Sequence, residues 1–323
     1  MNTLPKQIHI KEEGPREGFQ FEKGPIPTAR KIELIDALSR TGVKQMQIVS
    51  FVNPKAVPGM ADAEEVVRGI TPVPGVAYTG LWFNDQGLER AISTGRLEIK
   101  GSINLSASAK FLQRNLNRAP QQQIAVTRGM IDTYRQKNIE VERATIMAAF
   151  GCNFEGDVSA DRVVDLVGQL VDLATEQGIV LGRMSLADTM AWATPLSIKR
   201  TVGAVQDKFP DLDLELHLHD TRGMGIANAY AGLEMGVQRF DSSVAGLGGC
   251  PFACHAGAAG NVCTEDLVFM CDEVGIETGI DLEALLKCGR LAEDVVGHPL
   301  PGSVMKGGSL RRLREKLSKA ASA

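Results

Sequence analysis

Nothing in the chain is long and apolar enough to cross a membrane: no apolar run approaches the roughly 20 residues a spanning helix needs. The N-terminus, MNTLPKQIHIKEEG, has neither the charged nor the apolar region of a secretory signal, and a strand-like QIHI begins almost at once. A cleaved targeting peptide is therefore not expected. Positive charge is not in excess either. The formal net charge of -4 argues against nucleic acid or an anionic membrane as the main partner. Cysteine is scarce: Cys152, Cys250, Cys254, Cys263, Cys271 and Cys288 are the 6 in 323 residues, with no CxxC pair. Cys254-His255 follows Cys250 closely, but the spacing does not match the usual zinc or iron–sulfur patterns. Most of these thiols read as small buried hydrophobes in a reducing compartment, so a cytoplasmic location is expected. Low-complexity segments and composition breaks are absent as well.

What is present is a composition with ample core, 44% hydrophobic and 23% charged, and a repeated strand-then-helix rhythm. Strands are predicted at residues 7–12, 45–49, 76–82, 97–105, 139–149, 181–188, 213–219 and 238–243. Helices are predicted at 28–40, from 62, 85–93, 122–136, 160–177, from 195, 226–235 and from 264. Eight such units predict an α/β fold, a (β/α)8 TIM barrel, as one catalytic domain over residues 1–280. Residues 281–323 read as a C-terminal helical extension packed on or beside it. That extension holds a helix at 281–296, a flexible HPLPGSVMKGGS and a basic amphipathic LRRLREKLSKAA. The last segment reads as a solvated or subunit-packing helix rather than a membrane anchor.

The chemistry concentrates between residues 214 and 261. Leu214, Leu216 and Leu218 alternate with Glu215, His217 and His219, the period of a strand, so both imidazoles share one face. Two imidazoles at i and i+2 can share a metal ion, and a nearby carboxylate such as Asp220 could add an oxygen or fix a tautomer. Further on come Gly246-Leu247-Gly248-Gly249-Cys250, a flexible loop with a thiol, and then Gly257, Gly260 and Asn261. Barrel enzymes gather their chemistry at the C-terminal strand ends. The polar residues there are Arg16 and Glu17, Gln47, Ser50 and Asn53, Ser106 and Ser108, Asp188 and Thr189, and His217, His219 and Asp220.

These residues lie in motifs that resemble a known family. GPREGFQFEK, SFVNPKAVPGMAD, SASAKFLQRNLN, FGCNFEG, LADT, HLHDTRGMGIANA, DSSVAGLGGCPFA and GNVCTEDLV resemble, in order, the motifs of the 3-hydroxy-3-methylglutaryl-CoA lyase family. Those are metal-dependent lyases built on TIM barrels. The likeness covers residues 8–270, and SSVAGLGGCP is its most specific piece. The resemblance implies His217, His219 and Asn261 as metal ligands, with Glu17 a fourth or an orienter of Arg16, and Mg²⁺ or Mn²⁺ as the ion. It implies that Arg16 binds the thioester oxygen and that Cys250 exchanges a proton with the acyl-CoA carbon. Asp188 would sit near the metal or the substrate hydroxyl, or else cap the next helix. The expected partners are a small-molecule acyl-CoA and further copies of the chain, a dimer or tetramer.

Three positions depart from the family pattern. Glu17 stands where the family has Asp, and Gln47 where it has Glu. The stretch between Cys250 and Asn261 is longer and includes Cys254 and His255. These departures bear on the acyl group more than on the reaction class. The readings left open are a retro-Claisen lyase for a 3-hydroxy-3-methylglutaryl-CoA-like substrate, a lyase or aldolase for another branched 3-hydroxyacyl-CoA (citramalyl-CoA-like), and a non-catalytic binding barrel.

Overall fold

A computed structural model describes residues 4–22, 24–249 and 259–321. Its eight main strands are β1 (His9–Glu12), β2 (Gln45–Ser50), β3 (Ala77–Leu81), β4 (Gly101–Ser106), β5 (Val141–Met147), β6 (Arg183–Ala187), β7 (Asp213–His217) and β8 (Arg239–Ser242). All pair in parallel, in the order β3-β2-β1-β8-β7-β6-β5-β4. The first strand thus lies beside the last. Between β3 and β4 the Glu98 N–H donates to the Tyr78 carbonyl (2.8 Å) and bridges the seam. The result is the expected TIM barrel, with its helices outside.

The strands belong to the sheet because their outward residues bury well. Leu214 and Leu216 on β7, Ala144 and Ile146 on β5 and Phe240 on β8 are all buried in the apolar shell. The helices meet them with matching stripes. On Ala160–Glu176 the buried residues Val163, Leu166, Val167, Leu170 and Leu173 recur at helical spacing, and Ser159 caps the helix by accepting from Arg162 N–H. In the extension, Asp281 caps Leu282–Val296 in the same way. That helix packs against Thr28–Leu38 and the turn Val244–Gly246. The final helix, Leu310–Ala321, buries none of its residues and exposes Leu310, Leu313 and Leu317.

Several details differ from the sequence reading. The β7 ladder ends at His217, and His219 instead forms an isolated bridge with Asn261. β4 starts later than expected, at Gly101, and a helix at Ala109–Leu116 follows it, capped by Ser108. Beyond β5 a small hairpin pairs Gly151–Cys152 with Gly156–Asp157. No helix among the described residues is long and apolar enough to cross a membrane.

Candidate active site

TIM barrels commonly fill their bore with branched aliphatic side chains. Here the inward residues are polar: Lys11, Gln45, Gln47, Thr79, Ser102, Asn104, Arg143, Thr145, His217 and Asp241 line one cavity of about 290 Å³. Its upper end reaches Arg16, Glu17, Thr189 and His219, with Trp82, Phe83 and Phe111 beside them.

Arg16 and Glu17 arrive on a wide helical turn, Gly14–Gly18, that opens where β1 ends. Gly14 starts it because no side chain fits there: a Cβ would stand 2.7 Å from Glu12 Oε1 and 2.9 Å from Val244. The Gly14 N–H instead donates to Glu12 (2.7 Å). Arg16 then pairs with Glu17 (2.8 Å) and with Glu13.

The two histidines are held by their Nδ1 atoms. His217 Nδ1 bonds Asp241 Oδ2 (2.9 Å), and His219 Nδ1 bonds the Thr189 carbonyl (2.8 Å). Both Nε2 atoms therefore turn to Glu17 Oε1, at 3.8 Å from His217 and 3.0 Å from His219. One atom from each of Glu17, His217 and His219 lies within 4.8 Å of the other two, a grouping that could hold a metal ion. The backbone bridge from His219 to Asn261 brings that residue alongside. Asn261 is buried, and its Oδ1 and Nδ2 have no hydrogen-bond partner among the described residues.

The electrostatics favour a cation at this point. Lys11, Arg16 and Arg143 face four carboxylates, Glu13, Glu17, Glu215 and Asp241. Burial opposes ionisation of Glu17, but Arg16 and the two histidines hold its carboxyl well below the usual range. Burial also opposes a charge on His219, yet the hydrogen bond and charge of Glu17 leave its pKa raised. Asp241 is buried too, and Arg143, Lys11 and His217 hold it far below an ordinary carboxylate. Two imidazole nitrogens, an ionised carboxylate and an unpartnered amide fit a divalent ion.

The other sequence candidates fall into place differently. Gln47 lines the cavity, and its Oε1 has no partner among the described residues. Asp188 lies behind the wall: Oδ1 accepts from the Trp192 and Ala193 N–H groups (2.7 and 3.1 Å), while Oδ2 has no partner among the described residues. Burial pushes its pKa up to about 6. Thr194, not Asp188, caps the helix that follows. Asp220 accepts from Gly225 N–H and Asn53 from Lys55 N–H, so both serve local turns. Cys250, Cys254 and His255 lie outside the described residues. The sequence reading missed Asp241, Lys11 and Arg143. The signal for Asp241 was a lone acid next to the buried Phe240 in a short strand, and its register opposite His217 appears only once the sheet is assembled.

Fold and site define a class, a TIM-barrel enzyme with a histidine–histidine–carboxylate cluster at the C-terminal rim. The family model HMGL-like matches residues 7–292. The mitochondrial hydroxymethylglutaryl-CoA lyase of Rattus norvegicus is 42% identical, over 90% of this chain and 86% of its own. A hydroxymethylglutaryl-CoA lyase of Bacillus subtilis is 37% identical, over 92% and 96%. Among solved structures, a Bacillus subtilis HMG-CoA lyase superposes with a TM-score of 0.86 at 36% identity, covering 94% of this chain and 98% of that one. An HMG-CoA lyase from Acinetobacter baumannii, in complex with coenzyme A and 3-methylmalate, gives 0.84 at 38% identity, covering 96% and 97%. The chain belongs to the HMGL-like family and is a carbon–carbon lyase.

Proposed function

We infer that this enzyme cleaves 3-hydroxy-3-methylglutaryl-CoA, or a close analogue, by retro-Claisen chemistry to acetyl-CoA and a keto acid. The observation that carries the reading is the Glu17–His217–His219 cluster beside the Arg16 guanidinium, at the mouth of a bore lined by polar side chains with aromatic residues beside it. The coenzyme A found with the Acinetobacter relative supports an acyl-CoA as the ligand.

In the cleavage the substrate hydroxyl loses its proton, the bond between the second and third carbons breaks, and its electrons form the thioester enolate. A proton then returns to the second carbon. Glu17, His217, His219 and Asn261 would hold the ion; the set lacks the thiolate that most structural zinc sites have, and its carboxylate and amide oxygens suit Mg²⁺ or Mn²⁺. Once bound, such an ion supplies a Lewis acid that lowers the pKa of the hydroxyl. Arg16 neutralises charge developing on the thioester oxygen, which matters most in the transition state. Asp241 and Thr189 fix the Nδ1 tautomers, so each histidine presents Nε2. Cys250 carries the proton to the acyl-CoA carbon, and Asp188 serves the hydroxyl side from behind His219.

The same reading takes residues 1–280 as the catalytic domain and 281–323 as its extension, in a dimer or tetramer located in the cytoplasm. One observation favours a second substrate. Gln47, with an unpartnered amide oxygen in the cavity, removes a negative charge that relatives would place there, so another branched 3-hydroxyacyl-CoA, citramalyl-CoA-like, belongs in the test. Purified protein is to be assayed for acetyl-CoA release from a panel of 3-hydroxyacyl-CoA thioesters, with Mg²⁺, Mn²⁺ or chelator. Metal-dependent cleavage of the methylglutaryl thioester is expected. A marked preference for another thioester would move the substrate, and no cleavage of any would refute the lyase reading for this site.

A further inference from the structure

After its first helix, the C-terminal extension meets the rim of the barrel near Glu22 and again near Ala245. Helix Leu282–Val296 ends at Gly297, whose left-handed φ of 76° turns the chain back toward the rim. There His298 Nε2 bonds Glu22 Oε2 (2.8 Å). Glu22 directly follows Phe21, a residue of the cavity wall, at the end of the segment that carries Arg16 and Glu17. Four residues after His298, the Gly302 N–H donates to the Ala245 carbonyl (3.0 Å), and Pro301 packs against Gly246. Ala245 has a left-handed φ of 57°, strained for a residue with a side chain. Its own N–H is held from the other side by the buried Glu265 carboxylate (2.8 Å). This turn opens the 246–249 segment, which leads towards Cys250.

The strap is itself anchored. Leu300 N–H donates to Glu293 (2.7 Å), and Ser303 and Val304 N–H donate to Asp266 (3.1 and 2.7 Å). Leu300 and Met305 are buried beneath it. Gly302 is tightly enclosed: a Cβ would stand 3.1 Å from Cys263 Sγ and Met305 Sδ and 3.2 Å from Ala245 Cα, so these neighbours would have to give by a few tenths of an ångström.

We propose that the strap of residues 297–305 is a positioning element of the active site, with His298 and Gly302 fixing the Arg16/Glu17 loop and the Val244–Gly246 turn relative to one another. Neither residue touches the reacting atoms; each acts through the loop it holds. The kinetic part rests on the lyase reading, whereas the structural part does not.

The test uses the full chain with two sets of variants. Gly302→Ala makes the atoms around it, Ala245 Cα among them, give by a few tenths of an ångström, and a shift of that order in a site lowers kcat by roughly tenfold. Glu22→Lys and His298→Glu each lower kcat by about two- to fivefold, the range for an exposed ion pair. The double variant, which restores the pair with its charges exchanged, recovers the activity. Hydrogen exchange read by mass spectrometry supplies the readout independent of turnover: backbone protection falls at 14–22 in the single charge variants and at 244–249 in Gly302→Ala, and returns at 14–22 in the double. Unchanged kcat and protection in Gly302→Ala, or a double variant no better than the singles, overturns the proposal. A wild-type protein that cleaves no thioester refutes the lyase reading alone, and the exchange data still decide the strap. If Gly302→Ala does not fold, the surface charge exchange decides it.

Discussion

The two faces of the barrel sheet carry opposite chemistry on the same strands. On β7, Leu214 and Leu216 point into the apolar shell while His217 lines the bore; on β8, Phe240 and Asp241 divide in the same way. The outer face is interchangeable in kind: any well-packed apolar residue contributes through the area it buries. The inner face is not. Its groups are fixed in pairs, Asp241 by Lys11 and Arg143, Glu17 by Arg16 and His219. Removing one leaves a buried charge without its partner. The comparison teaches that the fold and the reaction are borne by alternate residues, so substitutions one position apart should fail in different ways.

The largest effect is expected at His219. His219→Ala deletes a proposed ligand from the cluster and should abolish metal-dependent turnover while the circular dichroism of the fold is kept. In the wild type both ring nitrogens of His219 face acceptors, and Glu17 raises its pKa, against the opposing effect of burial. A cation must displace the Nε2 proton. Metal affinity should therefore be full above that raised pKa and weaken as pH falls through it, which metal titrations at several pH values will check.

Arg16→Gln comes next. In the proposed mechanism its guanidinium acts on charge that exists only during cleavage, so kcat should drop on the order of 10² or more, with a smaller change in KM. Weakened binding at unchanged kcat would make Arg16 a positioning residue instead. Asp241→Asn should act more gently, through His217: metal affinity is expected to fall about 10- to 100-fold, measurable by calorimetry. The contrast closes with Leu216→Ala, on the opposite face from His217. It should cost about 2–5 kcal/mol of stability, read from denaturant unfolding, yet leave kcat per folded molecule near that of the wild type. A Leu216 variant that unfolds no more easily, or one that fails in catalysis while folded, would break the division between the faces.

Much of this was legible in the chain itself. The strand–helix rhythm predicted the barrel, because each unit shows its period locally. The alternation around His217 and His219 predicted that the two imidazoles share a face, whereas the place of Glu17 and Asn261 beside them came from the family resemblance. Strand ends were less legible. The β7 ladder stops at His217 because the chain beyond it is taken up by the segment before Val262: Asp220 N–H donates to the Gly260 carbonyl (2.7 Å). Lys11, Arg143 and Asp241 could not be read as a network, since a single charge in a strand looks the same whether it faces solvent or a bore. Their pairing depends on cross-strand register, which is a property of the assembled sheet. Ser108 and Asp220 went the other way: both sit at strand ends, as site residues do, but the structure spends them on the helix and turn that follow.

The most direct test of the central claim, that the inner-face cluster holds one divalent ion on which cleavage depends, is a Mn²⁺ titration of metal-stripped protein. It would be followed by electron paramagnetic resonance and by acetyl-CoA release in the same samples. The account predicts a single tight site per chain, turnover that rises in proportion to its filling, and loss of both in His217→Ala and His219→Ala. Full turnover in the stripped protein with chelator present, or a tight site that survives both substitutions, would contradict it.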